Sequence, residues 1–324
     1  MIDITLLFVL GLILAAEFVN GWTDAPNAIA TVIATKALKP KTAVLLAMAG
    51  NIIGAFCGRA VAKTIGTEIV KPEAINLAAL VGIIVWATAA SRFGLPTSES
   101  HALLAGLAGA GLATAGPAAL LLTGWKKVCL GLIISILFGF VGGYGLAWVL
   151  MNLGADRSKA SAHRVFNVLQ IIAAGGLAFS HGSNDGQKFI GIFALTMVLA
   201  SLLPAFQVQP WVIILCSVVM GVGTSVGGWR IIEKVGMKMV KLEPDQGLAA
   251  QTAAAASILF ASGLGAPLST THTINTAIMG AGATRGLSAV NWAVVKELAL
   301  AWFFTFPACG LIGYLTAWFL ARLS

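Results

Sequence analysis

The sequence predicts an all-α polytopic membrane protein built from two inverted-topology repeats, with broken helices and two re-entrant helical hairpins. Three observations predict this fold class. The 324 residues are 58% hydrophobic and only 10% charged, which is too little charge to cover the surface of a soluble domain of this size. Apolar runs approach the length of a membrane-spanning helix. Two pairs of motifs also recur in the same order in the two halves of the chain.

The apolar runs define the predicted spanning segments and include residues 44–62, 77–90, 128–150 and 211–228. They argue against a soluble enzyme or a nucleic-acid-binding protein. The net charge of +8 fits cytoplasmic loops and lysines at the membrane surface. The four cysteines lie far apart in apolar runs and show no metal-ligand spacing. We therefore expect the lipid bilayer as a partner, no nucleic acid and no organic cofactor.

The internal repeat rests on two motif pairs. Residues 20–30, NGWTDAPNAIA, align with residues 181–191, HGSNDGQKFIG, at an offset of 161. Residues 91–101, SRFGLPTSESH, align with residues 262–272, SGLGAPLSTTH, at an offset of 171. Because both pairs occur in the same order at similar offsets, we divide the chain into a first transmembrane repeat (1–152), a cytoplasmic linker (153–164) and a second, inverted repeat (165–324). Together they form a single transport domain.

Each half is predicted to contain five parts in order. These are an apolar helix broken by an Asp motif, a second helix, a helix entering a Pro-Ser-His motif, a helix leaving it, and a final spanning helix. If the third and fourth form a re-entrant hairpin, each half crosses the membrane an odd number of times and the halves lie in opposite orientations. In addition, the row Gly50, Gly54 and Gly58 predicts close packing of the second helix.

The loop charges predict the orientation. With the amino terminus outside, the cytoplasmic loops carry twelve Lys and Arg residues and the outer loops carry six. This bias agrees with the positive-inside rule, and turning the chain over would reverse it. We therefore expect a multi-pass protein of the cytoplasmic membrane of the cell, with its amino terminus outside.

Asp24 and Asp185 are the most informative residues, because an ionisable group in a spanning segment is costly and usually faces a cavity, a partner or an ion. Glycine and proline beside them predict an unwound turn whose free carbonyls, with nearby side chains, would bind a small hard cation. Helix capping, or pairing with Arg92 or Lys188, is the alternative. The predicted cation-binding residues are Thr23, Asp24, Asn27, Asn184 and Asp185, and a bound sodium ion would have Asp24 and Asp185 as metal ligands.

The Pro-Ser-His motifs are typical of helix starts, where proline suits the first turn and Ser or Thr caps free NH groups. A helix amino terminus also favours an anion. Two such termini, one from each half, would meet near the bilayer midplane and hold a tetrahedral oxyanion; ordinary capping is the alternative. The candidate anion ligands are Thr97, Ser98, Ser100, Ser269, Thr270 and Thr271.

His101 and His272 are matched between the halves but show no metal-ligand spacing. We expect each to be a hydrogen-bonded structural histidine, with a proton carrier as the alternative. Glu99 and Lys188 complete the possible auxiliary residues, together with these two histidines. Lys188 could neutralise Asp185 or reach toward the anion.

The two Asp motifs, at residues 20–40 and 179–193, resemble the duplicated signature of the inorganic phosphate transporter (PiT) family. PTSESH (96–101) and PLSTTH (267–272) are similar to its two hairpin-tip motifs. The resemblance implies cation-coupled symport of inorganic phosphate, with cation ligands from the Asp motifs and phosphate ligands from the hairpin Ser and Thr residues. Two departures, Thr23 before Asp24 and Glu99 opposite Thr270, leave open whether sodium or a proton is the coupling ion.

We expect a symporter working by alternating access, and not an enzyme. Sulfate or another tetrahedral oxyanion is the alternative substrate. An anion channel, or an intramembrane serine hydrolase using Ser98 or Ser269 with His101 or His272, is a further alternative. Glycine-rich helix faces would also permit a homodimer.

Overall fold

A computed structural model describes residues 4–71, 78–154 and 159–322. The described residues contain no β-strand, and only two isolated β-bridges occur among them. The start of the predicted run 77–90 and the middle of the predicted linker 153–164 lie outside the described residues. The helices are α1 (Ile4–Thr23), α2 (Pro26–Ala34), α3 (Pro40–Ala55), α4 (Ala60–Thr67), α5 (Ala78–Arg92), α6 (Glu99–Ala115), α7 (Leu122–Ile133), α8 (Gly139–Gly154), α9 (Lys159–His181), α10 (Gln187–Leu199), α11 (Pro210–Ser225), α12 (Trp229–Glu233), α13 (Pro244–Gly263), α14 (Thr270–Ala283) and α15 (Trp292–Leu320).

Several helical segments are long and apolar enough to cross a bilayer, so the all-helical, multi-pass membrane fold is confirmed. Within the described ranges there are four such continuous segments: Ile4–Ala34, Leu122–Leu153, His163–Leu199 and Trp292–Leu320. Two further pairs of helices would each make one span if counted together. These pairs bend by 71° between α3 and α4 and by 65° between α11 and α12.

The sharp bends fall at glycines with positive φ. Gly58 (φ 86°) joins α3 to α4, and Gly227 (φ 92°) and Gly228 (φ 41°) join α11 to α12. Such backbone angles are strained for residues with a Cβ. Gly58 is therefore a bend residue and not part of the packing row that the sequence predicts. Gly50 and Gly54 do pack closely, because a Cβ at Gly54 would clash with the carbonyl of Phe179.

The helical path continues through both Asp motifs, so the predicted unwound turns are not found. Between α1 and α2, Ala25 keeps helical angles (φ −57°, ψ −30°), and Asp24 N donates to Asn20 O at 3.0 Å. Pro26 is tolerated because the first turn of a helix needs no N–H from it. In the second half, the five residues Gly182–Gly186 form a π-helical turn between α9 and α10. Backbone carbonyls are therefore not released there by unwinding.

The two halves present the same elements in the same order and exchange packing partners. α1 of the first half packs on α11 of the second, and α9 of the second half packs on α3 of the first. Likewise, α6 packs on α15, while α14 packs on α8. Matched details support the correspondence: the bridge Val70–Leu120 has its counterpart in Val240–Val290. The opposite orientation of the halves, and the boundaries at 152 and 165, stay predictions.

Candidate functional site

The two Pro-Ser-His motifs form the tips of the hairpins α5–α6 and α13–α14. Ser98 is the N-cap of α6, and its hydroxyl oxygen accepts a hydrogen bond from His101 N at 3.2 Å. Ser269 caps α14 in the same way, accepting from His272 N at 3.2 Å. Because capping uses only the oxygen, each hydroxyl hydrogen remains available to another acceptor.

The tips of the two hairpins meet, as the sequence predicts. Thr271 Oγ1 lies 3.1 Å from the carbonyl oxygen of Thr97, which joins α14 to the tip of the first hairpin. The rings of His101 and His272 pack edge to face with centroids 4.5 Å apart, and Trp302 lies 3.9 Å from the His272 ring. Neither ring nitrogen of His272 has a hydrogen-bond partner among the described residues. His272 is therefore packed among rings and is not the hydrogen-bonded histidine we expected.

Asp24 and Asp185, from the two halves, are brought together by one hydroxyl group. Thr270 Oγ1 lies 2.7 Å from Asp185 Oδ2 and 3.2 Å from Asp24 Oδ2. Asn27 Nδ2 donates to Asp24 Oδ1 at 3.0 Å, and Thr271 Oγ1 also contacts that oxygen. Both predicted aspartates and two predicted anion ligands therefore share one buried cluster.

Lys188 lies in the same cluster with its side chain only 1% exposed. Its ammonium contacts the Asp185 carboxylate and the Ser100 hydroxyl, and donates to the carbonyl oxygen of Leu268 at 2.9 Å. The expectation that Lys188 neutralises Asp185 matches this arrangement.

His181 is a site residue that the sequence reasoning missed. Its Nε2 lies 3.3 Å from Asp185 Oδ2, and its Nδ1 lies 3.0 Å from Asn51 Oδ1. Asp24, His181 and Asp185 each offer a ligand atom, and these atoms lie within 4.8 Å of one another. The signal was available, since His181 stands four residues before Asp185, which is the spacing of one helical face.

Two predicted cation ligands point elsewhere. Thr23 Oγ1 contacts Glu99 Oε1 and donates to Val19 O at 2.8 Å. Asn184 Nδ2 donates to Ser262 Oγ at 2.8 Å. Neither side chain has a recorded contact with the Asp24 or Asp185 carboxylate.

Several buried oxygens in and around the cluster lack a hydrogen-bond partner in the part of the chain that the structure describes. They include Asn27 Oδ1, Glu99 Oε2 and Asn184 Oδ1. A fourth is Glu17 Oε1, on a carboxyl group whose other oxygen accepts from Asn20 at 3.3 Å. Glu17 was not predicted because it lies within an apolar run without a motif around it. Unsatisfied buried oxygens are costly and suit a cation as partner.

The residues of the cluster are buried from solvent. A cavity of about 610 Å³ reaches the first hairpin tip at Thr97. Its wall contains the ion pair of Lys234 and Glu297, at 2.6 Å. The other wall residues are mostly apolar and belong to α5, to the segment after α5 and to α15, among them Phe93 and Phe304, which are exposed. Such walls suit lipid or apolar contacts and make a poor route for a charged anion.

Known proteins resemble this chain in sequence and in fold. The profile of a family described as the phosphate transporter family matches residues 20–161 and 151–313. A probable low-affinity inorganic phosphate transporter of Bacillus subtilis is 38% identical over 307 residues, which cover 93% of this chain and 92% of the relative. One of Rhizobium meliloti with the same name is 40% identical, with 97% of each chain covered. A solved structure described as the sodium-dependent phosphate transporter superposes with a TM-score of 0.88 at 23% identity, covering 99% of this chain and 100% of that chain.

Proposed function

Since this chain belongs to the phosphate transporter family, we propose that it carries inorganic phosphate across the cytoplasmic membrane together with sodium, by alternating access. The amino terminus lies outside in this proposal. The relatives are named for phosphate, which favours phosphate over sulfate as the substrate.

One observation carries the proposal. The hydroxyl of Thr270, at the start of α14, spans the carboxylates of Asp24 and Asp185 from the two halves. A predicted anion ligand therefore contacts both predicted cation ligands directly. A cation bound there offsets the charge of an entering phosphate, because opposite charges at close range stabilise each other strongly in a buried site. Binding of the two ions is coupled for that reason.

Sodium is favoured by the chemistry of the ligands. Asp24, Asn27 and Glu99 supply carboxylate and amide oxygens, the ligands that hard cations prefer. Asn27 Oδ1 lacks a donor among the described residues and is therefore free to accept a cation. The structural neighbour is described as sodium-dependent, which agrees with this choice.

Phosphate is held in this proposal by the two hairpin tips. Ser98 and Ser269 keep a donatable hydrogen while capping their helices, and the amino termini of α6 and α14 carry partial positive charge. Because the cluster is buried, phosphate reaches it only when a hairpin moves away from one side. Alternating access follows if the two hairpins move in turn.

The test is uptake of radiolabelled phosphate into proteoliposomes under an inward sodium gradient. We expect the gradient to drive accumulation and choline to be ineffective. Asp24→Asn removes a charged ligand worth about 1.5–3 kcal/mol, which lowers the apparent sodium affinity roughly 10- to 100-fold. Asp185→Asn is expected to abolish accumulation, because the ammonium of Lys188 loses its carboxylate partner.

Glu233→Gln is the matched control, because Glu233 is a carboxylate exposed at the surface and paired with Lys238 at 2.9 Å. We expect it to transport like the wild type. Sodium-independent uptake driven by a proton gradient would contradict sodium coupling, and undiminished uptake by Asp24→Asn would remove that residue from the site. Strong competition by unlabelled sulfate would favour the alternative oxyanion.

A further inference from the structure

The two aspartates lie in half-sites that correspond residue by residue. In the first, Asp24 and Asn27 of the α1–α2 segment contact Thr271 of the second hairpin. In the second, Lys188 contacts both Asp185 and Ser100 of the first hairpin. The pairs Asp24 and Asp185, Asn27 and Lys188, and Ser100 and Thr271 follow the offsets of the internal repeat. At one corresponding position the half-sites therefore differ in charge, with the amide of Asn27 in one and the ammonium of Lys188 in the other.

In the first half-site, one side-chain oxygen remains without a partner among the described residues and can bind a cation from solution. Asn27 Nδ2 donates to Asp24 Oδ1 at 3.0 Å and lies 3.4 Å from Thr271 Oγ1. Its other terminal atom, Oδ1, is buried and has no partner in the described part of the chain. Within the described ranges no lysine or arginine contacts Asp24, and the nearby basic group is the imidazole of His181, which already lies 3.3 Å from Asp185.

The second half-site already contains a positive charge. The ammonium of Lys188 is surrounded by a carboxylate oxygen of Asp185, the hydroxyl oxygen of Ser100 and the carbonyl oxygen of Leu268. These three oxygen types are the ones that bind a hard cation. Leu268 corresponds to Thr97 in the repeat, and the carbonyl of Thr97 contacts Thr271 in the first half-site. The ammonium therefore lies within an oxygen shell of the kind a metal cation would need.

The same contacts argue against Lys188 as an anion ligand. An ammonium has three protons and no acceptor, and three oxygens already surround it. Reaching an anion would require Lys188 to leave at least one of them. Separating it from Asp185 would leave a buried ammonium without a carboxylate partner, which is strongly unfavourable.

We propose that Lys188 is a tethered cation that permanently fills the second half-site, so that mobile sodium binds only at the first. This inference rests on the proposed sodium-coupled transport and specifies its stoichiometry. The consequence is one sodium ion fewer per phosphate than two equivalent half-sites would take.

Lys188→Asn tests the proposal, because it gives the second half-site the residue of the first. We expect the thermal midpoint of the purified variant to rise more with sodium chloride than that of the wild type, with choline chloride at equal concentration as reference. In proteoliposomes, the sodium-to-phosphate ratio at the limit of accumulation should increase by one sodium ion. Lys238→Asn, which removes an exposed lysine, is the charge-matched control and should respond like the wild type.

Other outcomes are equally informative. Equal sodium stabilisation of Lys188→Asn and wild type would overturn the proposal. So would a weaker apparent phosphate affinity with unchanged sodium dependence, which would make Lys188 an anion ligand. If the variant is recoverable only in sodium, the proposal is supported; recovery in neither salt would contradict it, because a free cation then cannot replace the ammonium. The thermal midpoint in sodium chloride tests the role of Lys188 even if protons drive transport by the wild type. Failure of this proposal can therefore be distinguished from failure of the proposed sodium coupling.

Discussion

At the scale of single residues, Thr270 links the two halves of the site. A hydroxyl has one hydrogen to donate, so the shorter contact, 2.7 Å to Asp185, is the donated bond and the 3.2 Å approach to Asp24 is the weaker one. The sequence predicts Thr270 as an anion ligand. In the structure its hydroxyl is committed to carboxylates, which makes it responsive to whatever binds them.

Thr270→Val tests whether the hydroxyl links the two carboxylates, since valine has nearly the same shape without the hydroxyl. A buried hydrogen bond to a charged group is worth about 1.5–3 kcal/mol, so we expect sodium-driven uptake to fall roughly 10- to 100-fold and the protein to unfold more easily. Phosphate uptake and the thermal midpoint measure both effects. Thr273→Val, also in α14, is the control because its hydroxyl bonds only to Ser269 O of its own helix at 2.9 Å. Wild-type uptake by Thr270→Val would contradict its linking role.

At the scale of elements, the π-helical turn Gly182–Gly186 positions Asp185 against α3. Gly182 lies so close to α3 that a Cβ would clash with the carbonyl of Asn51. The same backbone approach holds His181 near the Asn51 side chain. π-helical turns inside α-helices are frequent at functional sites, and this one carries three polar residues, Ser183, Asn184 and Asp185.

Gly182→Ala should therefore disturb the site, while Gly176→Ala in the same helical segment should not. A Cβ at Gly182 meets backbone, which cannot move aside as a flexible side chain can, and overpacking of this kind costs about 1–3 kcal/mol. At Gly176 the added methyl meets no described heavy atom within 4 Å, and alanine favours the helix by up to about 1 kcal/mol. Thermal midpoints and uptake compare the two variants. Equal stability of both would show that the turn tolerates a side chain.

The sequence predicts the elements well where a repeated motif marks them. Both hairpin tips, their Ser caps and the meeting of the two tips follow from the two motif pairs. The continuous helix at Asp24 could not be predicted, because proline and glycine break helices in general but are tolerated at a first helical turn or within a π-helical turn. Gly58 was misassigned for a related reason. Spacing alone does not distinguish a glycine that packs from one that adopts positive φ.

For the whole molecule, the correspondence of the halves extends to their loops. Lys36, after α2, and Ser201, after α10, are the non-glycine residues with positive φ among those described, at 61° and 57°. A left-handed residue is uncommon outside glycine, so its occurrence at matched points supports a common ancestral half. The order of the elements does not reveal orientation. The inverted arrangement therefore needs a topological measurement.

Cysteine labelling provides that measurement. In a variant whose exposed Cys57 and Cys129 are replaced by serine, Lys39→Cys and Gln207→Cys place a thiol in matched loops, which the predicted inverted repeat puts on opposite sides of the membrane. In intact cells, a membrane-impermeant maleimide should label position 207, and position 39 only after permeabilisation. Labelling of both positions in intact cells would contradict the inverted repeat. Reversed accessibility would place the amino terminus inside.

The crossed contacts of the half-sites have a mechanical consequence. Asp24 lies on the first half but contacts Thr271 of the second hairpin, and Lys188 lies on the second half but contacts Ser100 of the first. Each half therefore contacts the hairpin tip of the other half. In the proposed cycle, a sodium ion that leaves Asp24 weakens the contact with the second hairpin, whereas the ammonium of Lys188 cannot leave. The first hairpin is then released only when Lys188 gives up its contact with Ser100, so the two hairpins are released unequally.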